Sequence, residues 1–341
     1  MVANVGPGFR QGDVTKNHVP VMKLVRWVGL CIGLLIIGFL IHQVGWVAIE
    51  TSLSLLGWSY AIVLIYPLTW ISLNARGWKA MVDVHHPEIP FKKLFQIRLA
   101  GESFNALLPS GYVGGEPLKA KLLARDMPLR EAAASVLMAK AAQSVGLVLF
   151  IGLGLTLGGR PGAPSLLRQP AELSALLFLA IGITLFLVLL ARRGFSRFAE
   201  LLHRYVPFKA LAKALPKLAA LDDSLGVFYL QGRRHFLWSL FWHAGGWMAG
   251  ALELLVIFSL LGHPITWREA WFIGALAQLG SVVGLFAPAG VGLYEGGHYL
   301  AAQLLGLPPA LGVSVALIRR VRELFWDGVG IIIFWRFSKN V

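Results

Sequence analysis

The chain has 341 residues, of which 57% are hydrophobic and 14% are charged, and its mean hydropathy is +0.68. This composition excludes an ordinary soluble domain, because a soluble core cannot bury so much apolar side chain. The net charge of +14 would suggest nucleic acid in a soluble protein, but here Lys and Arg cluster in loops between apolar runs. We therefore predict an all-α polytopic membrane protein whose partners are membrane lipids, with no nucleic-acid partner.

Six apolar runs are close to the length of about 20 residues that crosses the hydrocarbon core. Polar residues 1–23 precede the first run, and no small-residue cleavage site follows it, which predicts a retained helix rather than a cleaved signal peptide. The six runs cover residues 25–47, 53–75, 133–157, 172–191, 236–261 and 311–335.

Two further apolar segments, 94–116 and 271–306, are interrupted by Pro and Gly. The interruptions are Pro109-Ser110-Gly111 and Pro288-Ala289-Gly290. Broken helices at membrane depth persist only where protein or a polar cavity covers the freed backbone, which favours re-entrant or discontinuous helices. The alternative is that the broken segments are ordinary kinked spans, which would give eight or more crossings.

The distribution of Lys and Arg predicts the orientation in the membrane. Basic residues concentrate in the N-terminal tail, in the regions 76–130 and 192–234, and in the C-terminal tail. We predict a bacterial inner-membrane protein with six crossings and both termini in the cytoplasm, because this topology satisfies the positive-inside rule. The segment 192–234 is too polar to cross and fits amphipathic helices on the cytoplasmic surface, although a plain soluble connector is the alternative.

A shift of 179 residues aligns the two broken segments without a gap. We therefore predict two inverted repeats, each of three spanning helices and one broken helix, which is a transporter architecture. The domains are then a tail of residues 1–23, a first membrane repeat 24–157, a second repeat 158–335 that includes 192–234, and a tail 336–341. Chance similarity between Gly-rich apolar segments is the alternative. The aligned pairs include Gly101 with Gly280, Pro109 with Pro288, Gly111 with Gly290, Glu116 with Glu295 and Lys140 with Arg319.

The last span carries five charged residues, which are Arg319, Arg320, Arg322, Glu323 and Asp327. Each charge at a span centre costs about 2.5–3.5 kcal/mol on insertion scales, so these groups must pair, face a cavity or lie near the interface. Spacings of three and four residues place Arg and Glu within reach of each other on the helix. The cluster is predicted to be an anionic headgroup site or a gate, and a structural ion-pair staple is the alternative.

A second group of candidate residues surrounds the two breaks. A glutamate follows each Gly-rich turn, and each can bind a proton, pair with Lys140 or the arginines, or simply stabilise a helix N-terminus. No spacing predicts a metal site, a cofactor or a catalytic residue. The candidates are Glu102, Asn105, Glu116, Lys119, Lys140 and Glu295, and the backbone breaks are Pro109, Gly111, Gly114, Gly115, Pro288, Gly290 and Gly292.

Two sequence motifs resemble signatures of a known family. The run from Asn105 to Glu116 resembles N-x-L-P-x-x-x-G-G-E, and the run from Ala287 to Gly297 resembles P-x-G-x-G-x-x-E. Both are signatures of the flippase-like domain, the transmembrane domain of lysylphosphatidylglycerol synthases. Three segments are most similar to the hopanoid-biosynthesis-associated, HpnL-like branch, namely Gly101-Glu102, Tyr294-Glu-Gly-Gly297 and Arg319-Arg-Val-Arg-Glu323.

The resemblance implies lipid translocation and, for the branch, the handling of a hopanoid or a linked lipid. Aminoacylation of lipid is not expected, because no soluble transferase domain follows the last span of this chain. Three functions remain open at this stage. They are a lipid flippase or transporter, an intramembrane transferase built around Glu116, Lys119 and Lys121, and a scaffold for lipid-biosynthesis or transport proteins.

Overall fold

A computed structural model describes residues 56–107, 114–158, 232–283 and 293–339, with isolated positions at 47 and 54 and between 177 and 226. Apart from these isolated positions, three predicted segments lie largely outside the described residues, namely the spans 25–47 and 172–191 and the segment 192–234. The same is true of five predicted backbone breaks, Pro109, Gly111, Pro288, Gly290 and Gly292.

All regular secondary structure in the described part of the chain is helical, without a strand, which confirms the all-α prediction. A short 3-10 turn at Gly57–Ser59 precedes the first described helix. The helices are α1 (Tyr60–Ile65), α2 (Pro67–Val82), α3 (Phe91–Leu107), α4 (Gly115–Leu123), α5 (Leu129–Leu157), α6 (Arg233–Leu260), α7 (Trp267–Val283), α8 (Leu293–Leu304) and α9 (Pro309–Lys339).

Local sequence signals account for several helix ends. Pro67 occupies the first turn of α2, where its missing N–H costs no hydrogen bond. Thr266 and Glu269 form a reciprocal capping box at the start of α7, with Thr266 N donating to Glu269 Oε2 at 2.7 Å. Gly262 and Gly306 adopt positive φ values of 77° and 67° just after α6 and α8, so the chain can leave both helices sharply.

Two described helices, α5 and α6, are long and apolar enough to cross a membrane by length and composition. Large apolar side chains remain exposed on both, including Leu149 and Leu153 on α5 and Leu237 and Phe241 on α6. In water such a surface would be a liability, whereas lipid acyl chains solvate it. These helices are therefore the most direct structural sign of a membrane environment.

The helix bounds differ from the predicted spans where polar residues extend an apolar run. The predicted span 53–75 corresponds to α1 and α2, and α2 continues to Val82. The guanidinium of Arg76 lies over the rings of Phe91 and Trp242, at 5.7 and 5.2 Å from their centroids, which keeps this charge in the helical region. Hydropathy alone locates the apolar centre of a helix and misses such polar ends.

Close helix crossings join helices of the N-terminal half of the chain to helices of its C-terminal half. Helix α3 packs against α9, α7 packs against α5, and α2 packs against α6. Glycines permit the approach, because a side chain at Gly330 would collide with Ser103 and the backbone of Leu99. A side chain at Gly154 would collide with Trp271 and Ala275 in the same way. The core therefore joins helices from both ends of the sequence.

The loop between α2 and α3 is tied to α5 through His86. Its Nδ1 lies 2.9 Å from Glu88 Oε1, and its Nε2 lies 2.9 Å from Glu131 Oε2. Burial lowers the pKa of His86, but hydrogen bonds to Glu131 and Glu88 and their charges outweigh it, so this pKa is raised from the ordinary 6.5.

We expect His86→Ala to lower the thermal unfolding midpoint by a few degrees at about pH 6 and to have little effect at about pH 9. A raised folded-state pKa gives stability that is fully present below the unfolded-state value and is lost as the pH rises through the folded-state value. Unfolding of detergent-solubilised protein at several pH values measures this. His263→Ala is the control, since His263 is exposed, and an equal loss at both pH values would contradict the ion-pair explanation.

Candidate functional site

The first charge cluster lies where α3, α4 and α5 meet. It is held by a close contact between α3 and α4, in which the backbone of Gly115 approaches the carbonyl of Gly101. Asn105 reinforces this contact by accepting the Gly115 N–H at 2.6 Å. The first cluster consists of Arg98, Glu102 and Asn105 on α3, Glu116 and Lys119 on α4, and Lys140 on α5.

Glu116 is the most enclosed acid of the first cluster, with 5% of its surface exposed. Its carboxylate accepts from Lys119 Nζ at 3.1 and 3.2 Å and from Asn105 Nδ2 at 3.3 Å. Lys140 Nζ lies 3.3 Å from the same carboxylate. Lys119, Lys140 and Asn105 therefore hold the Glu116 carboxylate in place just after the predicted backbone break. These partners compensate for the cost of burying its charge.

Glu102 forms the other half of the first cluster. It accepts from Lys119 Nζ at 2.7 Å, and Arg98 Nη2 lies 3.2 Å from the same oxygen, Oε1. Asn105 Nδ2 reaches the second oxygen at 3.2 Å. Lys119 therefore bridges Glu102 and Glu116, and its charge links the two helices on either side of the break.

A small cavity of about 10 Å³ lies beside the first cluster, enough for roughly one water molecule. Arg98 contributes to its wall, and the Nε of Arg98 is buried without a hydrogen-bond partner in the described part of the chain. The lining residues are Trp78, Arg98, Glu116, Lys119, Val136, Ala139, Lys140 and Gln143.

The second charge cluster joins α6, α8 and α9. At its centre Glu253 of α6 has no exposed surface and pairs with two arginines of α9. Arg319 Nε lies 3.2 Å from Glu253 Oε2, and Arg322 Nη1 donates to both Glu253 oxygens. The second cluster consists of Glu253, Glu295, Arg319, Arg320, Arg322 and Glu323.

Arg320 completes the second cluster on the α8 side. Its Nε donates to Glu295 at 2.8 Å and its Nη1 donates to Glu323 at 3.2 Å. Tyr294 lies beside these cations, with its ring centroid 5.0 Å from the guanidinium carbon of Arg320 and 5.8 Å from that of Arg319. The aromatic face adds a cation–π contact to the ion pairs.

The two clusters differ in charge. The second contains three arginines and three glutamates and is neutral when all are ionised, whereas the first contains three cations and two carboxylates. Asp327 belongs to neither, because its side chain makes no hydrogen bond or ion pair within the described residues. Its carboxylate nevertheless lies within electrostatic range of Glu323, Glu102, Arg322 and Arg320.

Most of the predicted polar residues fall into these two clusters, but some pairings differ from the prediction. Arg319 was expected to reach Glu323 along the helix and instead pairs with Glu253 on another helix. Lys121 is exposed, and no ion pair joins it to Glu116 in the described chain. Gly114 and Gly115 lie directly at the start of α4.

Sequence reasoning missed Arg98 and Glu253. Glu253 is the single acid of the apolar run 236–261, and an isolated charge in a membrane run is itself a signal of a buried partner. Arg98 falls within the predicted broken segment 94–116, but it was only counted among the basic residues of the region 76–130. Across the described ranges, no three His, Cys, Asp or Glu side chains are grouped so that they could hold a metal ion.

The fold and the clusters define a class, namely helical membrane proteins with buried charge networks. A comparison with protein families matches residues 26–327 to the lysylphosphatidylglycerol synthase transmembrane region. The chain therefore belongs to this membrane-associated, lipid-related family, which confirms the family resemblance. Comparisons with curated proteins and with solved structures gave no significant match.

Proposed function

We propose that this protein is a lipid flippase or transporter that moves a lipid across or out of the bacterial inner membrane. The observation that carries the proposal is the pair of buried charge clusters in a helical protein of a lipid-related family. Buried charges within membrane helices cost free energy, and the passage of a polar lipid headgroup is a functional reason to retain them. A hopanoid or a linked lipid is the substrate suggested by the HpnL-like motif.

Helix order supports the proposed repeat. A shift of 179 residues places α3, α4 and α5 on α7, α8 and α9, with starts and ends that agree within a few residues. In both halves a glycine on the first helix packs against the start of the second, Gly101 against Gly115 and Gly280 against Leu293. Inverted repeats with discontinuous helices place substrate sites near the midplane, where headgroups must cross.

Equivalent acids make corresponding ion pairs in the two halves. Glu116 pairs with Lys140, and Glu295 pairs with Arg320, the neighbour of the residue equivalent to Lys140. We propose that these pairs open and close a polar path as the broken segments move. In this proposal the broken segments are re-entrant, both termini are cytoplasmic, and residues 192–234 lie on the cytoplasmic surface.

An intramembrane transferase is the alternative, with Glu116 as its acid. The geometry favours it less, because Lys119, Lys140 and Asn105 already bind this carboxylate. A scaffold for other lipid proteins is a further alternative. It would require function to depend on residues 195–230 and to be insensitive to changes in the two clusters.

The first experiment compares the lipids of separated inner and outer membranes in cells with and without the protein. For a transporter, one lipid class keeps its total amount and shifts between membranes. If a class disappears and its precursor accumulates, the protein is an enzyme or an obligate partner of one, and the transport proposal fails.

We expect Glu116→Gln to reduce lipid relocation by about tenfold or more while the protein remains folded. The amide cannot balance Lys140, whereas Lys119 keeps Glu102 as a partner. Glu88→Gln is the control, since Glu88 is an exposed acid on the loop. Folding is checked by size-exclusion chromatography and thermal unfolding. Undiminished relocation in Glu116→Gln would remove the first cluster from the transport path.

A further inference from the structure

Three polar side chains on one face of α6 each carry a buried polar atom that lacks a partner. His235, Ser239 and His243 follow one another at intervals of four residues, which places them above one another along the helix. The atoms are Nδ1 of His235, Oγ of Ser239 and Nε2 of His243, and none has a hydrogen-bond partner among the described residues. Buried polar atoms in proteins are almost always hydrogen-bonded, so three in succession indicate that water supplies their partners.

We propose that this polar stripe of His235, Ser239 and His243 lines a water-filled path that carries protons from the first turn of α6 to the first charge cluster. The inference rests on the proposed function and deepens it, because it makes protons the energy source for lipid movement. Successive members are about 6 Å apart along the helix axis. One water molecule that makes two hydrogen bonds of about 2.8 Å spans this distance. Chains of ionisable side chains within membrane helices are typical of proton relays.

The inner end of the polar stripe can accept a proton. His243 has no exposed surface, and its Nδ1 lies 2.6 Å from Asn74 Oδ1. Asn74 Nδ2 donates to the Trp70 carbonyl at 2.8 Å, which leaves Oδ1 as the acceptor and assigns the hydrogen of the ring to His243 Nδ1. Nε2 of the neutral ring is therefore an acceptor without a donor in the described part of the chain, and a proton can add to it.

The charges around His243 favour the passage of a proton over its storage. Three cations of the first cluster act on the ring, so a positive charge on the imidazole is repelled. Glu102 is an acid within the same range, and its side chain is 31% exposed, so it can receive the proton. The charged groups that act on or lie beside this end of the stripe are Arg98 and Glu102 of α3, Lys119 of α4, Lys140 of α5, and Arg76 of α2, which lies over the neighbouring Trp242.

The transfer ends on the carboxylate of Glu102. Water in the path gives a proton to His243 Nε2, and the ring passes this proton through water to Glu102 and returns to its neutral form. The cavity of about 10 Å³ beside the first cluster has room for about one such water, and Lys119 lines it. Glu102 then becomes a neutral acid, so Lys119 loses its ion pair of 2.7 Å across the backbone break and keeps only Glu116. Proton binding therefore loosens the contact between α3 and α4, and proton release restores it.

Repetition distinguishes the polar stripe from isolated atoms of the same kind. His298 on α8 also has a buried Nε2 without a partner among the described residues, but Tyr294 and Ala302 occupy the positions one turn away on either side. The Nε atoms of several arginines lack a hydrogen bond too, but ion pairs already hold these side chains. Only on α6 do the described residues place three such atoms on successive turns.

The test measures proton flux into vesicles that contain the full chain and the inner-membrane lipids of cells lacking it. A potassium diffusion potential drives the protons, and a trapped pH-sensitive dye records their entry. We expect Ser239→Ala to lower the wild-type flux at least about tenfold, because the path loses its middle hydroxyl. Removal of a buried hydroxyl without a partner should not destabilise the fold, which thermal unfolding checks. Ser259→Ala is the matched control, since Ser259 is exposed on the same helix.

His243→Gln is the second variant and should lose as much flux, because the amide cannot take up a proton and pass it on. If this variant does not fold, Ser239→Ala decides alone. Wild-type flux no greater than that of protein-free vesicles overturns the inference, as does equal flux in wild type and Ser239→Ala.

Lipid relocation in cells separates this inference from the proposed function. Relocation that continues at the full rate in Ser239→Ala, or after a protonophore has collapsed the gradient, overturns the proton path and leaves the transport proposal intact. Absence of relocation by the untreated wild type overturns the transport proposal, and the vesicle measurement still decides whether the path conducts protons.

Discussion

Replacing Glu253 with Gln is expected to lower the free energy of unfolding by about 3–5 kcal/mol. Glu253 has no exposed surface and is the shared partner of Arg319 and Arg322. The amide removes the negative charge, which leaves the buried Arg319 without an acidic partner among the described residues and leaves Arg322 with Glu323 alone. Unfolding in detergent, followed by tryptophan fluorescence or by denaturant titration, measures the loss.

Two further variants isolate the charge effect at Glu253. Asp327→Asn removes a carboxylate from the same region, but Asp327 has no ion-pair partner in the described residues, so its loss should be neutral or stabilising. The double variant Glu253→Gln with Arg322→Gln should recover part of the stability, because it removes both charges of one pair. A mild Glu253→Gln phenotype without such coupling would refute a central role for this pair.

Gly115→Ala is expected to cost more than about 3 kcal/mol and to abolish lipid relocation. An added methyl group would collide with the backbone carbonyl of Gly101, and backbone cannot move aside as a flexible side chain can. Relief requires α4 to shift away from α3, which would separate Asn105 from Gly115 and pull Lys119 away from Glu102. Thermal unfolding measures the loss of stability, and the relocation assay measures the loss of lipid movement.

The matched control for Gly115→Ala is Gly296→Ala, at the start of the equivalent helix α8. Apart from Gly296's chain neighbours and its own helix backbone, no atom of the described residues lies within 4 Å of a methyl group added there. Alanine is also the better helix former by about 1 kcal/mol. This variant should be as stable as the wild type or more so. Equal damage from both substitutions would show that the α3–α4 contact has no special role.

The sequence predicted the helical membrane class and most of the buried polar residues, because both depend on local patterns. Apolar runs of membrane length report helices, and charges within them must find partners. Glu102, Glu116 and Lys119 were identified in this way, since a Gly-rich break and a nearby acid are visible in one stretch of chain. The family signature around Asn105 is equally local.

The partners of these charges were not predictable from local pattern. Arg319 has Glu323 four residues away but pairs with Glu253, because the crossing of α6 and α9 decides which acid it meets. Arg98 differs, because its ion-pair partner Glu102 is four residues along the same helix, and the tertiary arrangement decides only that Arg98 is buried. Helix crossings depend on glycines such as Gly330, whose neighbours cannot be inferred without the tertiary arrangement.

The pairing of Glu253 with α9 also constrains how the chain is made. Arg322 is 69 residues further along the sequence, so α6 leaves the ribosome long before its counter-ion exists. A lone acid in a spanning helix disfavours release into lipid, and α6 should therefore stay beside the insertion machinery until α9 emerges. Helix α3 also packs against α9, where Ser103 and Leu99 lie beside Gly330. This contact too can form only after α9 has been synthesised. The contacts of α6 and α3 with α9 are therefore expected to form only after α9 has been translated.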